Sequence, residues 1–272
     1  CGSMSKAAGN LYITQPGVSQ VISQLESEFG VRLFERIAHR IYITDAGKAF
    51  YEYAEKMLLL RRETETAMRS FSGISKLSVG ATITIGTYFL PSVLSRMQKE
   101  NPETQIKSYI GNTKEIVKDL SSAILDVALI EGKINDKYVE SEPFYKDELI
   151  LICSSDHVLA KEKHLKPEMF RDMDFILREE GSGSRALFEE KMAETGISYN
   201  VPHFYNNNEA IINAALYKMG IGVVSKMSWT RRKGLVRLNK DVIPFKRDFL
   251  VAWNRDKFKT PAMEVFMQLL LK

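Results

Sequence analysis

The chain has 272 residues, 44% hydrophobic and 26% charged, which is long enough for two or three domains with buried cores and ordinary for a globular protein. Its net charge of +4 is too small to indicate nucleic-acid binding by itself, and no apolar run approaches the roughly 20 residues of a membrane span. Cys1 and Cys153 are far apart and show no metal or redox spacing, which fits a reducing cytoplasm.

Two short helices joined by a tight turn are predicted near the N-terminus. Thr14 is a good N-cap for the second helix, which tolerates Pro16 in its first turn. The apolar face of that helix is formed by Val18, Ile22, Leu25 and Phe29. The opposite face is rich in amide and hydroxyl groups, which suit hydrogen bonds in a DNA major groove. The side chains that we expect at DNA are Thr14, Gln15, Pro16, Ser19, Gln20 and Ser23.

A β-hairpin is predicted next, over residues 35–45, because Ile41 and Ile43 alternate with polar neighbours. In a winged helix such a hairpin lies along the DNA backbone or minor groove. Arg36, His39 and Arg40 are therefore expected phosphate or groove contacts. The alternative is a solvated turn with incidental basic residues. Residues 1–47 carry as many acidic as basic side chains, so the prediction of DNA binding depends on the residue pattern and not on charge.

Residues 5–36, SKAAGNLYITQPGVSQVISQLESEFGVRLFER, resemble the signature of LysR-type transcriptional regulators. The resemblance implies a winged helix-turn-helix that binds promoter DNA, although a solvated helical hairpin would show similar spacing. Family members carry a further helix ahead of this hairpin. We therefore expect an N-terminal truncation, which would expose Leu11, Ile22 and Leu25.

A long helix is predicted from the Thr44–Asp45 cap to about Ser70. Its apolar or small positions recur with a period of 3.5, interrupted by the polar Thr64, which is typical of a coiled-coil seam. These positions are Ala46, Phe50, Tyr53, Met57, Leu60, Ala67 and Phe71. The pattern predicts a homodimer through this helix, possibly assembled further into a tetramer. The alternative is a long helix packed on its own protein.

Beyond a hinge at Ser72 and Gly73, short apolar runs alternate with helical patterns, which indicates β-α-β units and a mostly parallel sheet. The fold class is α/β: a winged helix-turn-helix, a linker helix and a bilobal effector domain like periplasmic binding proteins. The predicted domains are 1–43 (DNA-binding, first helix missing), 44–71 (linker), 72–145 with 246–272 (lobe I) and 146–245 (lobe II). The last segment, a strand and a terminal helix, is expected to return to lobe I.

Small polar residues follow the predicted strands of both lobes, where open α/β sheets bind their ligands. They precede predicted helices, whose free backbone N–H groups favour an anion. The candidate effector residues are Thr82, Thr84, Asn112, Thr113, Ser182, Ser184 and Asn208. The bland alternative is N-capping alone. The family resemblance implies effector binding between the lobes. Thr82 and Thr84 match two threonines of sulfur-assimilation members, but Ile85 stands where those members carry an amide.

An enzyme is disfavoured by the remaining candidates. Cys153 and His157 are four residues apart, but Cys153 lies in an apolar run where a buried thiol is the usual role. The glycine-containing segment 182–185 lacks the lysine of a nucleotide site. His164 and His203 have no partners at metal spacing, so we expect neither a metal nor a cofactor.

These patterns predict a cytoplasmic, dimeric regulator of LysR type whose promoter binding is modulated by a small, anionic metabolite held between two lobes. The main alternative is a two-lobed solute-binding module of a transporter, which would have no use for the polar helix at residues 14–34. An enzyme of the two-lobed type is a more distant alternative.

Overall fold

The structure is a computed structural model that describes residues 3–37, 40–71, 75–238 and 242–270. It divides into two compact units, residues 1–62 and residues 63–272. The division falls inside the predicted linker helix, so the first two thirds of that helix belong to the DNA-binding unit. The predicted hinge at Ser72 and Gly73 lies outside the described residues.

The first unit begins with helices α1 (Met4–Leu11) and α2 (Gln15–Phe29). The Thr14 side chain accepts the backbone N–H of Gly17 at 3.3 Å, and Gly30 ends α2 in the left-handed conformation with φ 66°. On the apolar face Val18 is buried, while Ile22 and Leu25 are half-buried. Phe29 is 55% exposed and contacts the Phe50 ring at 5.6 Å between centroids. Of the three side chains expected to be exposed, Leu11 is 63% exposed, whereas Ile22 and Leu25 are only partly exposed.

The predicted hairpin is formed by β1 (Phe34–Ile37) and β2 (Arg40–Ile43), which pair in antiparallel register with Glu35 opposite Tyr42. Helix α3 (Asp45–Phe71) follows directly. The Thr44 side chain accepts the N–H of Gly47 at 2.9 Å and so caps α3. The winged arrangement and the long helix are therefore present as the sequence predicted.

The second unit alternates strands and helices. Its strands are β3 (Lys76–Thr82), β4 (Gln105–Gly111), β5 (Val127–Glu131), β6 (Val139–Ser154), β7 (Asp174–Arg178), β8 (Asn200–Tyr205), β9 (Ile221–Ser225), β10 (Leu235–Arg237) and β11 (Lys246–Asn254). Its α-helices are α4 (Ile83–Tyr88), α5 (Leu90–Glu100), α6 (Thr113–Ser121), α7 (Gly183–Thr195), α8 (Asn208–Leu216) and α9 (Pro261–Leu270). Three short 3-10 helices lie at 158–161, 167–170 and 226–228.

Within the described residues these strands form one nine-stranded sheet in the order β4-β3-β5-β11-β6-β9-β7-β8, with β10 beside β6. β3 is parallel to β4 and β5, and β7 is parallel to β8 and β9. β11 is antiparallel to β5 and β6, and β6 is antiparallel to β9 and β10. The sheet is thus mixed: the strands at each end are parallel, whereas the two central strands, β11 and β6, are antiparallel to each other and to the strands beside them.

Separate apolar cores lie on both sides of the crossing strands. One buried cluster contains Val79, Leu129, Phe249 and Phe266 of predicted lobe I, and a second contains Phe175 and Phe188 of predicted lobe II with their neighbours. The buried strands β5 and β9 read VALIE and IGVVS, as expected for strands covered on both faces.

Two elements differ from the sequence prediction. The sequence pattern indicates a strand over residues 77–83 and a helix from residue 87, whereas residues 83–88 already form helix α4. Strand β6 begins at Val139, well before the expected start of lobe II, and its first half pairs with β11. That half is polar and mostly exposed, so its sequence lacks the apolar run that marks a buried strand.

Candidate functional site

The exposed face of α2 carries the side chains that the sequence predicts at DNA. The exposed members are Thr14, Gln15, Pro16, Gln20 and Ser23. Ser19 is half-buried beside them, and Val18 is buried on the opposite face. The polar face is therefore accessible to a macromolecular partner while the apolar face anchors the helix.

Glu26, for which the sequence predicted no role, holds the start of the β1–β2 hairpin against α2. Its Oε1 accepts the backbone N–H groups of Leu33 at 2.8 Å and Phe34 at 3.1 Å, where β1 begins. A carboxylate that accepts two N–H groups holds both segments in one geometry. The first glutamate of the segment LESEFG is the sequence signal that could have indicated this role.

The basic residues of the wing are described only in part. Arg36 is opposite Ile41 and Arg40 is opposite Ile37 in the hairpin register, but the two arginine side chains are outside the described part of the structure. His39 lies outside the described residues altogether. Their roles at DNA remain predictions.

In the second unit, four donors converge on the buried carboxylate of Glu131 at the end of β5. The Thr82 hydroxyl donates to Oε1 at 3.2 Å and the Thr84 backbone N–H donates to the same atom at 3.1 Å. The Ser184 hydroxyl and Arg247 Nη1 donate to Oε2 at 3.1 and 2.8 Å. The residues predicted at an anion therefore surround a carboxylate that the chain itself supplies.

Arg247 links this carboxylate to a second one, that of Asp147. Its Nε donates to Asp147 Oδ2 at 2.8 Å, and its Nη1 also lies 2.9 Å from the Ser184 hydroxyl. Nη2 is 2.8 Å from the same Asp147 oxygen but lacks hydrogen-bond geometry to it. The Ser225 hydroxyl contacts both Asp147 oxygens at 2.9 Å. The result is a buried network that draws on β5, β6, β9, β11 and α7.

The electrostatic environment keeps Glu131 ionised. Burial by itself raises the pKa of Glu131, but the Arg247 charge, the Thr84 hydrogen bond, the Arg178 charge and the Ser184 hydrogen bond together lower the pKa below its ordinary value. Arg178 is itself buried and forms a two-point ion pair with Glu179 at 2.8 and 2.9 Å. The centre of the network is therefore a carboxylate rather than a carboxylic acid.

Asn208 and Thr113 connect the predicted lobes on either side of this network. Asn208 Nδ2 donates to Thr84 Oγ1 at 3.3 Å, and Thr113 Oγ1 accepts the N–H of Gly183 at 3.2 Å. A Cβ atom at Gly183 would lie 2.6 Å from the backbone oxygen of Glu131. Only glycine therefore permits this close approach of α7 to β5.

The other two candidates serve as helix caps. Asn112 forms a capping box with Glu115 at α6, and the Ser182 side chain accepts the N–H of Ser184 at the start of α7. For these two residues the capping role accounts for the contacts observed. Ile85 is fully buried in the lobe I core.

Sequence reasoning found the hydroxyl donors but missed Glu131, Asp147 and Arg247. A signal was present for Glu131, because a charged residue ends the otherwise apolar run VALIE. Asp147 and Arg247 lie in strands whose antiparallel pairing brings them opposite each other, and the sequence did not predict that pairing.

The Cys153–His157 pair shows no sign of a nucleophile and base. Cys153 is fully buried, and burial raises the pKa of its thiol to about 11. His157 Nδ1 accepts the backbone N–H of Leu159 at 3.2 Å, which makes the ring a cap for a short 3-10 helix. Over the described ranges, no three His, Cys, Asp or Glu side chains cluster as a metal site.

Family models match both units. Residues 1–48 match the model of bacterial regulatory helix-turn-helix proteins of the lysR family, and residues 73–272 match that of the LysR substrate binding domain. The chain belongs to the LysR family. LysR-type regulators are DNA-binding transcription factors with small-molecule effector domains, and this chain is one of them.

LysR relatives match almost the whole chain. The transcriptional activator CmpR of Synechocystis is 30% identical over 273 residues, covering 99% of this chain and 90% of the relative. The RuBisCO operon transcriptional regulator of Allochromatium vinosum is also 30% identical, with the same coverages over 278 residues. These LysR relatives are transcriptional regulators.

Solved LysR structures share the fold. The regulatory domain of Synechocystis CcmR in complex with 2-PG is 25% identical and covers 72% of this chain and 96% of its own, with a TM-score of 0.67. A cysteine mutant of Corynebacterium glutamicum OxyR is 24% identical and covers 100% of this chain and 86% of its own, with a TM-score of 0.64. None of the described helices is both long and apolar enough to cross a membrane.

Proposed function

We propose that this LysR-type regulator binds promoter DNA with the polar face of α2 and with its wing. We further propose that a small molecule bound between its lobes modulates the DNA binding. The DNA contacts are assigned to Thr14, Gln15, Pro16, Ser19, Gln20 and Ser23, with Arg36, His39 and Arg40 at the backbone or minor groove. The single observation that carries the DNA assignment is the accessible amide and hydroxyl face of α2 in a family-matched helix-turn-helix.

Amide side chains on this face suit base recognition better than charge alone would. Gln15 and Gln20 each offer a donor and an acceptor, the pairing that adenine edges require. Glu26 anchors the start of the wing to α2, so helix and wing approach a duplex as one piece. The formal neutrality of residues 1–47 leaves sequence readout to these side chains.

The proposed dimer forms through α3. Tyr53 is 64% exposed, Met57 is 72% exposed and Leu60 is 63% exposed, so these three positions of the predicted seam present their side chains to solvent. Side chains at a spacing of 3.5 that remain exposed in one chain gain burial in a paired coiled coil. Two recognition helices would then address two half-sites on the DNA.

The proposed effector site lies where Thr84, Ser184 and Asn208 bring the two lobes together. CcmR, whose regulatory domain has the same fold, was captured with 2-PG, and a small molecule is proposed here by analogy. Such a ligand must favour one lobe arrangement over another, because equal affinity for both would shift nothing. The whole chain is assigned to regulation in the cytoplasm and to no catalytic reaction, in line with its relatives.

The DNA assignment is tested by selecting binding sites from fragmented genomic DNA and measuring affinity by fluorescence anisotropy. Replacing Gln20 by Ala should weaken binding to the selected site by about 1–3 kcal/mol, because two hydrogen bonds to a base edge are lost. Gln98→Ala, which removes an exposed glutamine from α5, is the matched control and should leave affinity unchanged. Equal affinities of all three proteins for selected and random DNA would refute the assignment.

The transporter-module alternative predicts another outcome for the same samples. A solute-binding module would bind small molecules and protect no DNA site. A two-fold protected site in footprinting would exclude that module.

A further inference from the structure

The Glu131 carboxylate is an anion that the chain itself places at the proposed interlobe site. We infer that Glu131 is a built-in ligand that occupies the anion position of the cleft and selects against effectors that would present a carboxylate there. The inference rests on the proposed function in one respect, namely that the cleft between the lobes is the effector site.

The first step is the geometry of the donors. Thr82, the Thr84 N–H, Ser184 and Arg247 supply four hydrogen bonds of 2.8–3.2 Å to the two oxygens of Glu131. Bound carboxylates are typically held by such a set of hydroxyl, backbone and guanidinium donors. The Thr82 hydroxyl, the Thr84 N–H, the Ser184 hydroxyl and Arg247 Nη1 already have Glu131 as their acceptor, so an incoming carboxylate would have to compete with it. Arg247 Nη2 has no hydrogen-bond partner among the described residues, but it already lies 2.8 Å from the carboxylate of Asp147.

The second step is the charge balance around the site. Three carboxylates, those of Glu131, Asp147 and Glu179, face two guanidinium groups, those of Arg178 and Arg247. These pairs hold three negative charges against two positive ones, but Lys146, Lys226 and Lys246 line the same cavity as Asp147 and Arg247 and offset the excess on that side of the network. At Glu131 itself, the buried charged carboxylate repels an incoming carboxylate and attracts a hydrogen-bond donor.

The third step is an unused polar atom beside the network. Asn208 is buried, and its Oδ1 has no hydrogen-bond partner among the described residues, although its Nδ2 donates to Thr84. A buried acceptor without a donor is costly, and native sites usually satisfy it with a ligand or water. A ligand in the cleft that donates a hydrogen bond to Asn208 Oδ1 would satisfy this atom.

The two properties together define a ligand class. The group that meets Glu131 and Asn208 is a hydrogen-bond donor, either neutral or cationic. An anionic effector would have to place its charge elsewhere in the cleft.

Glu131 also joins the two lobes directly. Its backbone belongs to β5 of lobe I, whereas Ser184 belongs to α7 of lobe II. Arg247 contacts both side chains at 2.8 and 2.9 Å. The same carboxylate therefore stands in for the effector group that would otherwise bridge these elements.

Removing the internal carboxylate should create the anion site that the wild-type chain lacks. In the full chain, Glu131→Ala should lower the melting temperature by roughly 10 °C, because Arg247 loses its buried partner. Acetate or formate, added at constant ionic strength against chloride, should restore much of that loss with saturation. The wild type and Glu131→Gln, in which the position stays filled, should show no acetate-specific response.

The inference is overturned if acetate stabilises all three proteins equally or fails to stabilise Glu131→Ala. If that variant does not accumulate as folded protein, its refolding yield from urea decides. Acetate must then raise the yield over chloride, and an equal yield in both salts contradicts the inference.

A second measurement tests the ligand class on the wild type. Putrescine and succinate have carbon chains of equal length and opposite charge, so their thermal shifts compare a donor with a carboxylate at matched size. We expect the larger shift from putrescine. Saturable succinate binding to the wild type that disappears in Thr82→Val would refute the exclusion of anions while leaving the proposed function intact. A chain whose promoter binding responds to no small molecule would instead refute the proposed effector function, whatever acetate does to Glu131→Ala.

Discussion

The two units of the chain treat their apolar and charged side chains in opposite ways. In residues 1–62, large apolar side chains such as Tyr53 and Met57 lie on the surface of a long helix. In residues 63–272, even the charged groups of Glu131, Asp147 and Arg247 are buried and form ion pairs with one another. The long helix of the first unit thus leaves apolar surface available to a partner, whereas the second unit places charge in its interior and neutralises most of it there.

The largest effect on this difference between the units is expected from removing the buried guanidinium group of Arg247. Arg247→Met leaves two carboxylates buried without their partner, so the free energy of unfolding should fall by about 3–5 kcal/mol. Urea denaturation followed by tryptophan fluorescence measures this unit alone, because both tryptophans, Trp229 and Trp253, lie within it.

The matched control for that prediction is Arg237→Met. Arg237 pairs with Glu148 at 2.8 Å near the surface, where an ion pair contributes only about 0–1 kcal/mol. A loss as large at Arg237 as at Arg247 would contradict the special role of the buried network.

A smaller effect is expected from a charge placed on the exposed seam of the first unit. Met57→Glu should weaken self-association by about 2–3 kcal/mol, because the carboxylate would be desolvated between two copies. Analytical ultracentrifugation across a dilution series measures the change. Leu58→Glu is the matched control, since Leu58 is 53% exposed but lies outside the predicted seam. Equal dissociation of both variants would argue against the seam.

The smallest of the three effects concerns the approach of α7 to β5. Gly183→Ala places a methyl group 2.6 Å from a backbone oxygen that cannot rotate away, so the second unit should lose about 1–3 kcal/mol of stability. Gly9→Ala in α1 meets nothing within 4 Å and should instead stabilise the first unit by about 0.5–1 kcal/mol. Chemical denaturation monitored by circular dichroism and by fluorescence separates the two. A neutral Gly183→Ala would mean that the lobes tolerate separation.

Local patterns were sufficient to predict the recognition helix, the wing and the long helix. Thr14, Gly30 and Thr44 mark helix ends through contacts within three or four residues, which a sequence displays directly. The polar first half of β6 was missed because its stability comes from pairing with β11, a strand about a hundred residues away. Such pairing leaves no periodic apolar signal.

The candidate site could likewise be predicted from the sequence only where local patterns mark its residues. Thr82, Thr84 and Ser184 were found because they follow buried strands, where ligands bind in open sheets. Their true neighbour in the structure, the Glu131–Arg247 pair, joins residues 116 positions apart. The sequence indicates hydroxyl donors and a charged residue at the end of an apolar strand, but only the pairing of distant strands shows that these groups meet.

The buried thiol of Cys153 makes the chain its own reporter of breathing motions. Cys153 lies in β6, paired with Val236 of β10, and its raised pKa keeps the sulfur protonated at neutral pH. With Cys1 changed to serine, a maleimide dye would therefore label the protein only during transient opening of the sheet. Any effector that tightens lobe II would lower the labelling rate of Cys153. Effectors could therefore be screened without knowledge of the promoter.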